Sequence, residues 1–201
     1  MASGIIRTDP VPTELEALKL YEKSDWLNRI RLPSSHALRV PALALKEALD
    51  GGTIAATRQA CTFLTATLAD FYEVRRPDIT VRGIRPFITP DDVSIYQLFG
   101  YYSPPKRRIC VWMRTAVRGQ VTSFKRMLNT LLHEFSHHLD VTKLGLASSP
   151  HTRGFFSRID LLYHRALATP RKKRRKLCWV RSGPIWYLDW KKSRPTQEIA
   201  K

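Results

Sequence analysis

The sequence predicts one α+β domain with appended terminal segments. A chain of 201 residues, 43% of them hydrophobic, has the length and the apolar content of a single packed domain. Apolar residues recur at helical spacing in residues 53–74, 122–144 and 152–168. Short β-prone runs, residues 79–84 and 108–113, lie between the first two of these segments. Because helices predominate and strands are few, we expect a small sheet covered by helices.

Two helices are predicted within residues 1–52. Residues 12–31 carry apolar side chains among charges at a moderately amphipathic spacing. Residues 33–35 interrupt this pattern, and a short helix is predicted for residues 41–49. The Asp-Gly-Gly sequence at 50–52 then ends it. We interpret the whole segment as an N-terminal helical extension that either caps the domain or inhibits it.

The predicted sheet lies in the middle of the chain. The long helix of residues 53–74 is expected to support the core. Residues 79–84 alternate partly between apolar and polar side chains, which indicates a strand. Residues 96–102 and 108–113 are aromatic or β-prone, and the turn-forming residues 103–105 lie between them, so we predict a hairpin.

Two further helices complete the predicted domain. Helical periodicity runs from residue 122 to 144, where Gly145 can cap the helix. The next helix is predicted for residues 152–168, just before Pro170. The domain is therefore expected to span residues 53–168.

The segment His133-Glu134-Phe135-Ser136-His137 has the pattern H-E-x-x-H, whose chemistry depends on a helix. Residues four apart share a helix face, so the imidazoles of His133 and His137 can reach one metal ion. Glu134 projects beside this pair and can act as a general base. The apolar stripe of the helix lies elsewhere, at Phe124, Leu128, Leu131, Leu132, Phe135 and Leu139. The two histidines are therefore not core residues, and polar side chains on a solvated helix face are the alternative.

A catalytic zinc site needs a third protein ligand and leaves the fourth position to water. The downstream candidates are His138, Asp140, His151 and His164. Three ligands on one straight stripe of a helix cannot converge, so the chain must turn back. Residues 145–150 provide that turn, and we therefore choose His151. Asp140 either orients an imidazole through a hydrogen bond or forms an exposed salt bridge. His164 is expected on the surface of the last helix.

This pattern resembles that of the SprT-like zinc metallopeptidases, the family that includes Spartan and resembles the minimal gluzincins. The shared features are the H-E-x-x-H motif, a loop of thirteen residues and His151 before an apolar helix. The resemblance covers residues 53–168 and implies a zincin-like fold: a backing helix, a small sheet with an edge strand, an active-site helix and a third-ligand helix. It also implies that His133, His137 and His151 bind Zn²⁺ and that Glu134 is the catalytic base for peptide hydrolysis.

The sequence departs from the family pattern at Thr152 and in its cysteines. Many relatives have Gly after the third ligand, and some carry a Cys-rich zinc ribbon, whereas Cys61, Cys110 and Cys178 are far apart here. Isolated cysteines favour a reducing compartment. The sequence shows neither a secretory signal nor an apolar run of about 18 residues. We therefore expect a cytoplasmic protein with no membrane span, and nucleoid or nuclear association is an open alternative.

Substrate binding is predicted at a sheet edge, where an extended peptide can add as a strand. The candidate edge strand consists of Ile109, Cys110, Val111, Trp112 and Met113, with an ordinary core strand as the equal alternative. The residue that helps to stabilise the oxyanion is left open between Tyr101, Tyr102 and Tyr163.

The charge balance predicts an anionic partner. The chain has 34 Lys and Arg against 17 Asp and Glu, a net charge of +17 and a pI near 10.3. Residues 93–133 contain no acidic residue, and the tail, residues 169–201, has eleven basic residues against two acidic ones. Residues 177–181 and 185–190 of this tail are predicted as a hairpin that carries three tryptophans. The basic run of the tail consists of Arg171, Lys172, Lys173, Arg174, Arg175 and Lys176.

These features favour DNA or another polyanion as a partner. Solvated charge and a small local core are the alternatives, as is a tail that folds over the cleft and brings the Cys178 thiolate near the metal. The sequence as a whole predicts a zinc-dependent metallopeptidase that cleaves proteins, DNA-associated ones among them. The alternative function is a non-catalytic nucleic-acid-binding module in which zinc is structural.

Overall fold

The helices and strands combine into the predicted α+β architecture. The structure, a computed structural model, describes residues 6–86 and 99–193. Within them, five α-helices accompany a three-stranded sheet, and a two-stranded ribbon lies near the C-terminus. The helices are α1 (Leu15–Trp26), α2 (Ser35–Asp50), α3 (Ile54–Tyr72), α4 (Phe124–Leu139) and α5 (Arg153–Ala166). The strands are β1 (Asp78–Ile84), β2 (Gly100–Ser103), β3 (Arg108–Arg114), β4 (Trp179–Ser182) and β5 (Ile185–Leu188).

Helix α2 begins earlier than the sequence predicts. The Ser34 hydroxyl caps it by accepting the backbone N–H of Ala37 at 3.1 Å. Pro41 therefore lies inside the helix, although proline removes a helical hydrogen bond. Leu38 and Leu45, on the buried face, are fully shielded from solvent. Tertiary packing of this face outweighs the local preference that placed the helix start at residue 41.

The predicted hairpin forms, but the prediction of its edge strand is wrong. Strands β2 and β3 pair antiparallel, β1 pairs parallel to β3, and the order is β1-β3-β2. Residues 96–98 of the predicted hairpin lie outside the described residues. Strand β3 is thus central, and its segment Ile109, Cys110, Val111, Trp112 and Met113 is buried throughout. An apolar run without alternation is typical of a strand covered on both faces. Strand β2 lies at one edge of the described sheet.

Helix α4 lies against β2 and β3 with one face in the core. Its apolar stripe packs into the core as the sequence predicts, with only Phe124 partly exposed. The chain then continues as a π-helical turn, Asp140–Leu144, and Gly145 ends it in the left-handed conformation with φ of 64°. Glycine adopts this conformation without steric cost, so the chain reverses here and leads back to α5.

Helix α5 is anchored to α1 by close backbone contact and by a buried arginine. A Cβ atom at Gly154 would lie 2.1 Å from the carbonyl oxygen of Ser24, so α1 and α5 can approach this closely only at a glycine. Arg158 donates to the carbonyl oxygens of Ser24 and Leu27 and forms a buried ion pair with Asp140 at 2.8 Å. These bonds connect α1, α5 and the turn after α4.

The first and last segments of the described chain contact each other. Strands β4 and β5 form the predicted C-terminal hairpin. An N-terminal segment, residues 6–11, runs beside β5: Leu188 donates to Ile6 at 2.9 Å, Thr8 donates to Trp186 at 2.9 Å, and Val11 donates to Pro184 at 2.8 Å. The basic run at 171–176 begins with a 3₁₀ turn and is largely exposed. No helix among the described residues is long and apolar enough to cross a membrane.

Candidate metal centre

Three imidazoles converge in the cleft beside α4. His133 and His137 lie one helical turn apart on α4, and His151 lies in the turn that leads into α5. Their Nε2 atoms form a triangle with sides of 3.1, 3.1 and 3.2 Å. The structure therefore brings together the three histidines that the sequence proposes as ligands, close enough to hold one metal ion.

Hydrogen bonding alone cannot satisfy this triangle. Each Nε2 carries either a proton or a lone pair, so at least one side must join two atoms of the same kind. A cation at the centre would accept all three lone pairs at once. Tetrahedral zinc with Zn–N bonds of 2.0–2.1 Å requires nitrogen atoms about 3.3–3.4 Å apart. The observed triangle is within a few tenths of an ångström of this geometry.

The histidines of the helix are held neutral by their surroundings. Burial lowers the pKa of His133 well below its ordinary value, and the neighbouring imidazoles lower it further. Burial, with the nearby His151 ring, lowers the pKa of His137 to about 3. Neutral imidazoles have a free lone pair, which is the form that binds metals.

His137 is oriented by a chain of buried polar groups. Its Nδ1 lies 2.7 Å from the Ser149 hydroxyl, which donates to the Asp140 carboxylate at 2.9 Å. Asp140 is fully buried and is paired with Arg158. Of the two predictions for Asp140, an exposed salt bridge is therefore wrong. The carboxylate acts on the imidazole, but it does so through a serine.

His151 is held by Asp9, which sequence reasoning missed. The backbone N–H of His151 donates to one carboxylate oxygen of Asp9 at 2.8 Å, and its Nδ1 lies 3.3 Å from the other. Burial favours a higher pKa for Asp9, but its hydrogen bonds and charge interaction with His151 lower the pKa below its ordinary value. The two residues are 142 positions apart, and no local pattern connects them.

Glu134 is almost fully buried at the floor of the same cleft, with 6% of its surface exposed. Burial raises its pKa to about 8, partly opposed by the backbone N–H of Tyr102. Strand β2 lies directly against it: a Cβ atom at Gly100 would be 3.1 Å from the Glu134 Cγ and 2.8 Å from the Thr130 Cγ2. A glycine is therefore required where β2 passes over α4.

The cleft has a volume of about 370 Å³ and is bordered by β2. Trp112 donates its backbone N–H to Phe99 at 3.3 Å, so these two residues form a hydrogen-bonded pair. Along an antiparallel ladder, hydrogen-bonded pairs alternate with pairs whose backbone groups point away from the partner strand. The backbone groups of Gly100 and Tyr102 therefore point away from β3, and both residues line the cleft.

The remaining candidates from the sequence have other partners. The Nε2 of His138 lies 2.8 Å from the Arg75 carbonyl oxygen, which can only accept, so its Nδ1 accepts the Tyr102 hydroxyl at 2.9 Å. The Nε2 of His164 lies 3.3 Å from the Asp160 carboxylate along α5. Of the three tyrosines considered for the oxyanion, Tyr101 and Tyr102 line the cleft.

The tail lies beside the cleft without supplying a ligand among the described residues. The Sγ of Cys178 is 3.4 Å from the Lys192 carbonyl oxygen rather than near the imidazoles. Trp179 packs against Phe156 at 5.6 Å between ring centroids. The Arg153 guanidinium lies over the Trp186 ring at 4.1 Å. Trp179 and Trp186 thus contribute to a small local cluster, whereas Trp190 is exposed.

No family model matches this sequence, and no curated protein or solved structure matches it significantly. The resemblance to the SprT-like metallopeptidases therefore depends on the H-E-x-x-H motif, the position of His151 and the order of the elements. A function has to be argued from the chemistry of the site itself.

Proposed function

We propose that the protein is a zinc-dependent metallopeptidase with a zincin-like fold. The observation that carries this proposal is the triangle of Nε2 atoms in an open cleft, with the Glu134 carboxylate in the wall of the same cleft. Structural zinc sites are closed by four protein ligands, whereas catalytic sites have three and leave one position open. Three imidazoles beside a cleft fit the second class.

The donor set supports zinc in particular. Neutral imidazoles suit zinc and other transition metals, whereas calcium and magnesium prefer oxygen ligands. His133, His137 and His151 would hold the ion. When bound, zinc supplies a Lewis acid that lowers the pKa of water and polarises a carbonyl group.

Glu134 is the proposed general base. Its carboxylate faces the same cleft as the imidazoles, so it can take a proton from the attacking water and later pass it to the leaving amine. In the absence of a cation, burial favours its protonated form. A nearby positive charge favours the carboxylate, the form that accepts a proton.

The proposed substrate is an extended peptide that pairs with β2. The outward backbone groups of Gly100 and the outward carbonyl oxygen of Tyr102 offer hydrogen bonds to such a peptide beside Glu134. This assignment replaces Ile109–Met113, which lies inside the sheet. Within the cleft, the ring of Tyr101 is available to contact substrate side chains or the oxyanion, whereas the Tyr102 hydroxyl already donates to His138.

DNA-associated proteins are the proposed class of substrate. A net charge of +17 attracts polyanions, and most residues of the run at 171–176 are exposed and free to contact phosphates. The competing function, a non-catalytic nucleic-acid-binding module, requires a zinc site that is closed. The open arrangement of the three imidazoles favours the enzyme.

Metal analysis and proteolysis test this function together. We expect about one zinc per chain, its loss in His151→Ala and its retention in the matched control His164→Ala. Glu134→Gln should keep zinc but abolish cleavage of a disordered protein such as casein, assayed with and without single-stranded DNA. Wild-type protein that binds zinc and DNA but cleaves nothing would favour the binding module. Cleavage by Glu134→Gln at the wild-type rate would contradict the proposed mechanism.

A further inference from the structure

The N-terminal segment, residues 6–11, contacts the turn that carries the third histidine. We propose that this segment is a working part of the metal centre: Asp9 positions His151, and docking of the segment and metal binding strengthen each other. The inference rests on the proposed function of the three-histidine site. It assigns a role to a part of the chain outside the resemblance to the SprT-like domain.

Asp9 contacts His151 through both its carboxylate and its backbone. Its two carboxylate oxygens face the backbone N–H and the Nδ1 of His151, at 2.8 and 3.3 Å. Its own backbone N–H donates to the His151 carbonyl oxygen at 2.8 Å. A carboxylate can only accept, so the proton of this imidazole is placed on Nδ1. The lone pair is then on Nε2, the atom that faces the other two histidines.

The segment has its own anchors, which do not involve the imidazole. Residues 6–11 share backbone hydrogen bonds with β5, and the Trp186 backbone N–H donates to the Thr8 hydroxyl at 3.1 Å. The Tyr21 hydroxyl donates to the Asp9 carbonyl oxygen at 3.3 Å. Replacing the Asp9 side chain should therefore leave the backbone of the segment in place, so the variant tests the carboxylate itself.

His137 and His151 are oriented by groups from different parts of the chain. His137 is oriented by Ser149, Asp140 and Arg158, which lie within about twenty positions along the chain. His151 is oriented from the opposite end of the chain, 142 positions away. The third ligand is thus correctly placed when the N-terminal segment is docked. Any event that displaces the segment should weaken the metal site.

Docking of the N-terminal segment and metal binding are thermodynamically coupled. If docking of the segment raises the metal affinity by some factor, then metal binding must raise the equilibrium constant for docking by the same factor. Replacing a residue that orients a ligand typically costs 10–100-fold in metal affinity. Zinc should accordingly slow amide hydrogen exchange at Thr8, Asp9 and Val11, whose N–H groups hold the segment in place.

The decisive experiment measures zinc affinity of the full-length chain by competition with a chromophoric chelator. Asp9→Ala should weaken zinc binding 10–100-fold, and Asp9→Asn less, since its amide oxygen still accepts one of the two bonds. The control Glu14→Gln removes a nearby carboxylate that caps α1, and it should leave zinc affinity unchanged. The spectrum of the Co²⁺-substituted protein should change in Asp9→Ala as well, which loss of stability alone would not cause.

The outcomes separate this inference from the proposed function. Wild-type zinc affinity in Asp9→Ala, with zinc bound to the wild-type protein, would overturn the positioning role and leave the enzyme proposal intact. A wild-type chain that binds no zinc would overturn the proposed function itself. Hydrogen exchange of the wild-type protein needs no variant to fold. Exchange in residues 6–11 that is equally fast with and without zinc would refute the coupling.

Discussion

Glu134→Gln should stabilise the metal-free protein while it abolishes hydrolysis. Burial raises the pKa of Glu134 from 4.5 to about 8. Between these values the folded protein retains a proton that the unfolded chain has released, so the free energy of unfolding decreases as the pH rises. The ordinary pKa of 4.5 lies about 2.5 units below pH 7. At 1.36 kcal/mol per unit, the buried carboxyl therefore lowers the free energy of unfolding at pH 7 by about 3 kcal/mol. Glutamine never ionises and avoids this cost.

The pH dependence distinguishes the ionisation cost of Glu134 from a general packing effect. At pH 5 the cost of Glu134 falls to about 1 kcal/mol, because this pH lies only about half a unit above the unfolded pKa of 4.5, where a substantial fraction of unfolded chains keeps the proton. The low pKa values of His133 and His137 affect both proteins alike and cancel in the difference. The advantage of Glu134→Gln should therefore be about 2 kcal/mol larger at pH 7 than at pH 5.

Urea denaturation in the presence of a chelator measures this difference directly. Wild type, Glu134→Gln and the control Glu47→Gln, which alters an exposed carboxylate on α2, are compared at both pH values. For a chain of 201 residues, a gain of about 3 kcal/mol also raises Tm by about 6–12 °C. Equal unfolding free energies for wild type and Glu134→Gln at pH 7 would refute the argument that burial makes this carboxyl costly.

Three further substitutions test the framework of the site. Gly154→Ala forces a Cβ atom against an α1 carbonyl oxygen and should reduce the free energy of unfolding by about 1–3 kcal/mol. The control Gly51→Ala, whose Cβ would make only ordinary contacts, should be nearly neutral. Similar Tm shifts for both variants would contradict the close approach of α1 and α5 at Gly154. Asp140→Asn leaves the buried Arg158 guanidinium without its ion pair and should cost about 3–5 kcal/mol, so an unchanged urea midpoint would be inconsistent with it. Gly100→Ala should lower kcat/KM at least about tenfold without loss of zinc, because it displaces β2 from the carboxylate of Glu134, the proposed general base. Unchanged kinetics would argue against this edge as the substrate site.

The helix and the turn that carry the three histidines are predictable because their signals are local. The apolar stripe of α4 and the histidines opposite it follow from a helical period of 3.6 residues. The helix end at Gly145 and the turn before α5 are likewise predicted by neighbouring residues. Proximity of His151 to the other two imidazoles could therefore be predicted from turn chemistry alone. The start of α2 could not, since burial of Leu38 and Leu45 decides it.

The position of a strand within its sheet depends on partners that are distant in sequence. Residues 109–113 are apolar throughout, which fits an exposed substrate-binding edge poorly and a central strand well. Their parallel partner β1 covers the side that would otherwise be free. Strand β2 has only four residues and carries Gly100 and two tyrosines, so its hydrophobic pattern is too short to indicate its role. Register and hydrogen-bond alternation, which appear only in three dimensions, identify its outward backbone groups.

The contrast between Asp140 and Asp9 shows what limits prediction of a metal site. Asp140 lies one turn beyond the H-E-x-x-H motif, so its proximity to the ligands follows from the helix even though its link through Ser149 does not. Asp9 has no comparable signal, because its position depends on backbone pairing between the N-terminal segment and β5. A motif thus specifies the groups that bind the metal, whereas the whole fold specifies the groups that orient them. If Asp9 acts as proposed, the part of the chain least similar to any catalytic pattern sets the affinity of the metal centre.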